Sequence, residues 1–324
     1  MTFIPAAFPK IPAYRREADP VHHARRVVCL EKIDGANTRV GVPRGARSAD
    51  EIVIGGRSLL EGDRDFCQPA LRQCVVDDPA RVQALLALSR DCDGDLVLYG
   101  ETCGRGIQST GFIYGSRAHL VLFAATVGGA WVSLSRPLEL FDDEGPVRRV
   151  PSLREIAERA SLPVAPCLYE GPPDAERFDA LLDRASEHAM SRGAVPAHAD
   201  ATHEGVVIWS DPVLLDGAGR LLVAKHKHPR RRETIDAPSG RESPEEFASR
   251  VVTIERVRHA LQHLRESGRG GGAREELSSL VARRVVQDVS REEPAYHEAL
   301  ARHGKTAVRA ALEAAARAIG VDEM

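Results

Sequence analysis

Short glycine-containing turns between strand-like segments are the feature that most constrains how this chain folds. Apolar and polar residues alternate in segments that recur from about Val27 to Lys227, as expected of β-strands with one buried face. Two intervening turns, residues 127–130 and 215–219, are glycine-rich and short enough to close hairpins. Hairpins join antiparallel strands, whereas parallel strands need a longer crossover. The pattern therefore predicts an α+β fold with antiparallel sheets and excludes a Rossmann-type winding.

The predicted strands are separated by a smaller number of predicted helices. The strands are predicted at residues 27–30, 37–42, 52–55, 96–99, 120–124, 131–134, 206–209 and 221–224. Flanking helices are predicted over residues 79–90, 152–160 and 174–190, the second of which opens with a Ser152-x-x-Glu155 capping box.

The character of the sequence changes after Arg232. A polar segment predicts a linker over residues 234–243, and Ser243 followed by Pro244 is typical of a helix start. Helices are predicted over 244–266, 273–291 and 295–319. The sequence thus predicts a mixed domain at 1–233 and a small all-helical domain at 244–324.

Composition narrows the class of protein. Hydrophobic residues make up 43% of the chain, and no stretch approaches the roughly 20 apolar residues that a membrane-spanning helix needs. The N-terminal segment lacks the charged-then-apolar order of a signal peptide, so a cytoplasmic location without membrane contact is expected. The six cysteines include no Cys-x-x-Cys pair, which indicates neither a zinc site nor a disulfide framework.

The net charge of −3 is low for a nucleic-acid binder. A local basic patch remains available, because residues 225–232 read Lys-His-Lys-His-Pro-Arg-Arg-Arg. We interpret Arg230 to Arg232 either as a solvated charge run or as contacts to a phosphate backbone.

The segment from Glu31 to Asn37 contains Lys32-Ile33-Asp34-Gly35 between two predicted strands. Gly35 allows a close backbone approach there. By itself the motif also fits a surface lysine paired with Asp34. Four further segments at predicted strand ends follow it in fixed order: Gly55-Gly56-Arg57-Ser58, Tyr99 to Gln108, Glu204-Gly205-Val206-Val207, and Lys225-His226-Lys227.

Together these segments resemble the covalent nucleotidyltransferase superfamily of DNA ligases, RNA ligases and messenger-RNA capping enzymes. Asn37 stands where DNA ligases and capping enzymes usually have arginine, which is similar to the RNA ligase 2 family. Residues 252–257, followed by helices, resemble that family's helical appendage. One departure is Ala124, since the family commonly has aspartate after the residue that matches Phe123.

The chemistry of these residues can be argued independently of the resemblance. An amine that attacks phosphorus must be unprotonated, and nearby cations favour that state. Lys225 and Lys227 lie two apart on a strand, so both face one side and can reach phosphates. Magnesium would shield the phosphates, and its candidate ligands, through water, are the three carboxylates Asp34, Glu101 and Glu204.

The resemblance implies finer roles. Glu31 would contact the adenine edge, Asn37 and Arg57 would orient phosphates or metal-bound water, and Glu101 would hold the ribose. Phe123 would stack on the base, although a role in the core is equally open. Arg57 alone would be read as a surface cation. Five histidines match no common zinc spacing, so we interpret them as solvated or phosphate-facing: His22, His23, His203, His226 and His228.

The resulting hypothesis is an ATP-dependent RNA ligase with an adenylyltransferase domain at 1–233. Lys32 is its expected nucleophile, with Lys225, Lys227 and Glu204 in catalysis, ATP and magnesium or manganese as cofactors, and nicked duplex RNA or an RNA–DNA hybrid as partner. A DNA ligase, a capping-type guanylyltransferase and an inactive nucleotide or nucleic-acid sensor remain alternatives. The C-terminal helices are expected to clamp the nucleic acid or to serve as a packing or dimerisation module.

Overall fold

The computed structural model describes most of the chain, namely residues 3–57, 59–61, 69–92, 94–107, 111–142, 145–192, 203–228, 243–266, 274–293 and 295–323. The described residues up to His228 form one compact unit, and those from Ser243 onward form another. Most of the predicted linker, residues 234–242, lies outside the described residues. No described helix combines the length and the apolar character that crossing a membrane requires.

A four-stranded antiparallel sheet forms one layer of the first unit. Its strands are β1 (Val27–Lys32), β9 (Cys167–Gly171), β10 (Gly205–Ser210) and β11 (Val223–Lys227), in the order β11-β10-β1-β9. One face packs on a core that includes Val27, Cys29, Ile208 and Phe178. Alternation along the strands leaves Val28, Leu30 and Lys32 on the other face.

A five-stranded antiparallel sheet forms the other layer. Its strands are β2 (Ala36–Val42), β3 (Val53–Gly55), β4 (Leu96–Cys103), β5 (His119–Val127) and β6 (Ala130–Trp131), in the order β3-β2-β4-β5-β6. The predicted hairpin at 127–130 is confirmed, because Val127 pairs with Ala130 across it. The α+β fold with antiparallel sheets is confirmed in both layers.

Helices and one separate hairpin complete the first unit. The helices are α1 (Pro69–Val76), α2 (Pro79–Asp91), α3 (Leu153–Arg159), α4 (Ala175–Leu181) and α5 (Glu187–Ser191), and the hairpin pairs β7 (Leu138–Asp142) with β8 (Gly145–Val150). Short 3₁₀ turns occupy Arg16–Ala18, Pro20–His23, Ala49–Glu51 and Gly111–Tyr114. The capping box predicted at Ser152 is present, with Glu155 at its third position.

The predicted single helix over 174–190 is wrong, because the chain forms α4 and α5 with a break between them. Ser186 lies in an extended conformation and its hydroxyl caps α5 by accepting a hydrogen bond from the Ala189 amide at 3.0 Å. The same hydroxyl also donates to the carboxylate of Glu31. This contact with a distant strand was not visible in the local sequence.

The N-terminal segment packs against both sheets. Ala13 forms a parallel bridge with Lys225, so the segment covers the edge strand β11. The Phe8 ring lies edge-on to Tyr99 and Phe123 of the five-stranded sheet and to Trp209 of the four-stranded sheet, with centroids 5.1, 5.0 and 6.0 Å away. Phe8 therefore identifies which faces of the two sheets are turned toward each other.

The second unit is helical throughout its described residues. Its helices are α6 (Pro244–Val251), α7 (Ile254–Glu266), α8 (Arg274–Glu292), α9 (Ala295–His303) and α10 (Lys305–Glu323). Ser243 caps α6 as predicted, and its hydroxyl accepts from the Glu246 amide at 3.2 Å. An apolar core that includes Phe247, Val257, Val285 and Leu312 holds the helices together.

Two of the long helices predicted for this unit are each divided. The predicted helix at 244–266 breaks after Val251, and Thr253 starts α7 by accepting a hydrogen bond from the Arg256 amide at 3.3 Å. The predicted helix at 295–319 breaks at Gly304, whose φ of +80° ends α9. The apolar period continues across both breaks, which explains why the sequence alone did not reveal them.

Gly205 starts β10 at a point where no side chain fits. A Cβ atom there would lie 2.2 Å from the carbonyl oxygen of His226, and the φ of +154° is one that residues with a side chain rarely adopt. Gly205→Ala should therefore lower the free energy of unfolding of the first unit by about 1–3 kcal/mol. Gly217→Ala is the matched control, because a Cβ there meets nothing within 4 Å.

Urea denaturation followed by tryptophan fluorescence measures this difference, since both tryptophans, Trp131 and Trp209, lie in the first unit. Equal stabilities of the two variants would contradict the close packing assigned to Gly205.

Candidate active site

The Lys32-to-Asn37 segment carries the chain from one sheet to the other. Lys32 ends β1, and Ala36 begins β2. Gly35 packs so closely on β4 that a Cβ atom would lie 2.3 Å from the Thr102 carbonyl oxygen. The close approach predicted at this glycine is thus an approach to protein backbone, and it fixes the crossover between the sheets.

Lys32 and Lys227 share the carboxylate of Glu204. Lys32 pairs with Gly205 on β10, and Gly205 pairs with Lys227 on β11, so the three strands bring these residues into one row. Lys32 Nζ makes an ion pair with Glu204 Oε2, and Lys227 Nζ lies 3.1 Å from Oε1. Glu204 is 5% exposed. A buried carboxylate held by two ammonium groups is strongly stabilised as an anion.

Lys225 lies on the same face of β11 as Lys227, as the strand period predicts. Between them, His226 points to the opposite face, where its Nε2 lies 2.7 Å from Asp179 Oδ1. Lys225 is half-buried and pairs with Val207 of β10. The structure therefore gathers Lys32, Lys225 and Lys227 on one face of the four-stranded sheet.

A second row of predicted residues crosses the five-stranded sheet. Asn37 of β2 lies directly opposite Glu101 of β4, and both are half-buried. Arg39 pairs with Gly55, the last residue of β3, on the other side of β2. Arg57 follows the end of β3 and is exposed. The chain turns back there, because the Gly56 amide donates to the Leu59 carbonyl at 3.0 Å, so Asn37 and Glu101 form the row and Arg57 lies in the adjoining turn.

The two rows face the space between the sheets, each from its own sheet. Tyr99 shares the face of Glu101, and Trp209 shares the face of Lys32, because each pair is separated by an even number of strand positions. Phe8 touches both aromatic rings. Lys32, the candidate nucleophile, and the Asn37–Glu101 row therefore face each other across the space between the sheets.

Phe123 is the extra residue of a bulge in β5, where the register with β4 shifts between Tyr99 and Gly100. Its half-buried ring meets the edge of Phe8. Ala124, the departure from the family pattern, lies opposite Tyr99 and is 2% exposed. The position where the family commonly has aspartate is therefore filled here by a small apolar side chain.

Glu31 lies on the face of β1 opposite to Lys32. Its buried carboxylate accepts hydrogen bonds from the Ser186 hydroxyl and, at 3.1 Å, from the His188 amide. Burial raises the pKa of the Glu31 carboxyl, and these hydrogen bonds partly offset that rise. Glu31 thus anchors the start of α5 to the strand that carries Lys32.

Asp34, the third candidate metal ligand, lies in the crossover itself. Its backbone amide donates to the Tyr114 hydroxyl at 3.3 Å, and its side chain is half-buried. Asp34 is separated from Lys32 by one residue, whereas Glu101 and Glu204 come from different sheets. The candidate metal ligands therefore surround the crossover from three elements.

The sequence-based interpretation missed Arg39, a 5% exposed cation on the same face as Asn37. Its guanidinium packs over Gly55, where a Cβ atom would lie 2.7 Å from Nε. The signal was present, because Asn37 and Arg39 are two apart on a predicted strand. A buried arginine beside the Asn37 row adds a fixed positive charge to the inter-sheet space.

The interpretation of the histidines as solvated or phosphate-facing is wrong for several of them. His203 is fully buried, and its Nε2 bonds the Leu181 carbonyl at 2.9 Å. His226 bonds Asp179, and His22 bonds the Tyr14 hydroxyl at 2.8 Å. These rings serve packing and hydrogen bonding within the unit. The arginines at 230–232 lie outside the described residues.

Residues 25–225, more than half of the chain, match the model of the family described as RNA ligase. The matched segment includes the residues of both rows except Lys227. The chain therefore belongs to the RNA ligase family. No curated protein sequence gives a significant match.

Several solved structures of a Naegleria gruberi RNA ligase are similar to this chain. The form with PPi has 17% sequence identity and a TM-score of 0.43, over 70% of this chain and 59% of that chain. A variant with ATP and Mn has 16% identity and a TM-score of 0.44, over 69% and 58%. This chain thus spans less than two thirds of the length of the Naegleria gruberi chains.

Glu204 Oε2 engages the amine of Lys32 in an ion pair, which a reagent must displace before it can modify the amine. Glu204→Gln removes the negative charge at nearly constant volume, so this ion pair is lost and the amine of Lys32 should react faster. Loss of a charged hydrogen bond of about 1.5 kcal/mol corresponds to about a tenfold gain in reactivity. Brief treatment with acetic anhydride, followed by peptide mass mapping, measures the modification rate at Lys32.

Glu61→Gln is the matched control, because it removes a carboxylate that pairs with Arg72 instead. An unchanged rate at Lys32 in Glu204→Gln would show that the carboxylate does not control this amine.

Proposed function

We propose that this protein is an ATP-dependent RNA ligase that carries AMP on Lys32 and uses it to seal RNA ends. The observation that carries the proposal is the buried Glu204 carboxylate shared by Lys32 and Lys227 at the crossover between the sheets. Membership of the RNA ligase family supports the substrate class.

The choice of lysine at this site supports a nucleophilic role. The chain has 44 lysines and arginines, of which only five are lysines, and three of those five lie here. Arginine serves well for holding phosphate, but it does not lose its proton in proteins, whereas a lysine amine can become a nucleophile. A site built only to bind phosphate has no need for this preference.

The proposed reaction has three steps. Lys32 Nζ attacks the α-phosphorus of ATP, an N–P bond forms, and pyrophosphate leaves. AMP then passes to the 5′-phosphate of an RNA end, which frees Lys32. Finally a 3′-hydroxyl attacks that phosphate, a phosphodiester forms, and AMP leaves. The proton that Lys32 Nζ must lose before the attack passes to solvent, and Glu204 positions the amine by accepting its hydrogen bond.

The two rows divide the task of holding ATP. Lys225 and Lys227 provide charge for the phosphate oxygens, and Asn37 with Arg57 orients them from the opposite sheet. Glu101 lies beside Asn37 and holds the ribose. Phe123 offers the half-buried ring for stacking on the base.

The adenine contact implied for Glu31 would have to be made on the face of β1 away from Lys32, because that is where its carboxylate lies. Its carboxylate already accepts from Ser186 and His188, and a carboxylate has lone pairs for further donors.

The donor set fits a hard divalent cation, magnesium or manganese. Asp34, Glu101 and Glu204 supply oxygen ligands and would hold the ion through water. Such an ion would neutralise phosphate charge and favour the departure of pyrophosphate. Lys227 pairs with Glu204 at 3.1 Å, which favours the anionic carboxylate that such an ion needs.

For the RNA, we propose nicked duplex RNA or an RNA–DNA hybrid as substrate, and repair in the cytoplasm as the setting. The adenylyltransferase domain at 1–233 performs the chemistry, and the helical domain at 244–324 clamps the duplex. Labelling by GTP would identify a capping-type enzyme, and preference for an all-DNA nick would identify a DNA ligase. Stoichiometric nucleotide binding without an adduct would identify a sensor.

Lys32→Ala should abolish ATP-dependent sealing while leaving the last step in place, because a pre-adenylated RNA no longer needs the lysine nucleophile. The measurement compares joining of 5′-phosphate RNA plus ATP with joining of pre-adenylated RNA, using nicked duplexes. Lys305→Ala is the control, since that exposed lysine lies in the helical unit. Covalent labelling of Lys32→Ala by α-labelled ATP would rule out Lys32 as the nucleophile.

Truncation after Thr234 should spare adenylation and impair sealing, because the first unit has a hydrophobic core of its own and keeps every proposed ATP contact. Transfer of label from α-labelled ATP and joining of a nicked duplex are measured on the same preparation. Circular dichroism establishes that the truncated protein is folded. Equal loss of both steps in folded protein would contradict this division between the domains.

A further inference from the structure

Three potential metal ligands converge beside α5, apart from the predicted carboxylates. They are the thiol of Cys103 and the Nε2 atoms of His119 and His188, which all lie within 4.8 Å of one another. Cys103 is 0% exposed, His188 is 5% exposed, and His119 is half-buried. None of them belongs to the rows of residues that face ATP in the proposed function.

The fold brings these residues together from three elements. Cys103 ends β4 and His119 begins β5, and the two are cross-strand partners. His188 lies in the first turn of α5, whose position is set by the hydrogen bonds of Ser186 and the His188 amide to Glu31. A sheet edge and a docked helix thus form the cluster, which local sequence spacing does not reveal.

The distances suit a tetrahedral ion. Cys103 Sγ lies 3.5 Å from His119 Nε2 and 4.0 Å from His188 Nε2, and the two Nε2 atoms are 2.8 Å apart. Zinc bonds of about 2.3 Å to sulfur and about 2.05 Å to nitrogen require separations of about 3.6 and 3.3 Å. Shifts of about half an ångström at side-chain ends bring all three atoms to those values.

The hydrogen bonds around the cluster prepare one ligand. His119 Nδ1 lies 3.2 Å from the Arg117 carbonyl oxygen, which can only accept, so Nδ1 carries the proton. His119 Nε2 is therefore a bare lone pair that accepts from His188 Nε2–H. Fixing the tautomer of a ligating histidine through its other nitrogen is a usual feature of metal sites.

The two histidines are neutral at neutral pH, as metal ligands must be, whereas the Cys103 thiol has to lose its proton on binding. Burial lowers the pKa of His188 to about 4, with further lowering by His119 and Arg192, and burial also lowers the pKa of His119. Burial raises the pKa of the Cys103 thiol, with Glu101 adding to that rise. A buried, protonated thiol is a poor nucleophile, which argues against a catalytic cysteine here.

We propose that Cys103, His119 and His188 bind one zinc ion, with solvent in the fourth position. Binding forms one Zn–S and two Zn–N bonds. The thiol proton is released to solvent, and the proton on His188 moves from Nε2 to Nδ1. Two imidazoles and a thiolate are ligands that zinc prefers over magnesium. The ion would tie α5 to the β4–β5 edge and so hold the groups that anchor Glu31.

Charges near the cluster oppose each other. Arg192 disfavours a cation there, since it lowers the pKa values of both histidines. Glu31 and Glu101 raise the pKa of the Cys103 thiol, and their negative charges favour a cation there. The thiolate formed on binding adds a further negative charge, which helps to offset the positive charge of Arg192.

Cobalt titration of the full-length protein tests the site. The protein is first freed of metal with a chelator, and Co²⁺ is added without nucleotide. We expect uptake of one Co²⁺ per chain with a near-ultraviolet thiolate-to-cobalt charge-transfer band, and loss of the band when Zn²⁺ is added. Uptake without that band, or no uptake by folded protein, would overturn the proposal.

Variants assign the ligands. Cys103→Ala should lose the band, whereas Cys167→Ala, which removes a half-buried thiol outside the cluster, should keep it. His119→Gln should weaken Co²⁺ binding at least about tenfold. Should Cys103→Ala fail to fold, His119→Gln decides the matter, because its side chain is only half-buried. Unchanged Co²⁺ affinity in His119→Gln would contradict the ligand set. A charge-transfer band that persists in Cys103→Ala would contradict it as well.

Discussion

The ion pairs of Glu204 with Lys32 and Lys227 are the interaction on which the proposed chemistry depends. A buried carboxylate is costly unless it is paired, and here two lysines from two different strands provide the pairing. The pairing requires β1, β10 and β11 to keep their register. Gly205 permits this register because it has no side chain to collide with the His226 carbonyl oxygen at the start of β10. The same arrangement places a titratable amine where the chain crosses between the sheets.

The crossover explains why the candidate site requires both sheets. Lys32 belongs to one sheet and Asn37 to the other, and Gly35 is packed against the Thr102 carbonyl between them. A ligand held between the sheets would therefore meet cations from one side and the Asn37–Glu101 row from the other. Preorganised charge of this kind lowers a barrier because it needs no rearrangement during the reaction.

Sequence reasoning reached the strands and the Lys32, Glu204 and Lys227 cluster because these residues mark strand ends in a fixed order. It also found Ser152 and Ser243, since helix caps are local. It missed the break at Ser186, which depends on Glu31 some 155 positions away. It likewise missed the Cys103, His119 and His188 cluster, because its ligands meet only after α5 docks on a sheet edge. Contacts that arise from tertiary packing leave no periodic pattern to detect.

If Lys32 carries AMP, peptide mass mapping after incubation with magnesium and ATP should find the adduct on its peptide. The chain's five lysines are easily distinguished by their peptides. We expect one acid-labile AMP adduct, on the peptide that contains Lys32. An adduct on any other residue, or none on folded protein freed of pre-bound AMP, would contradict it.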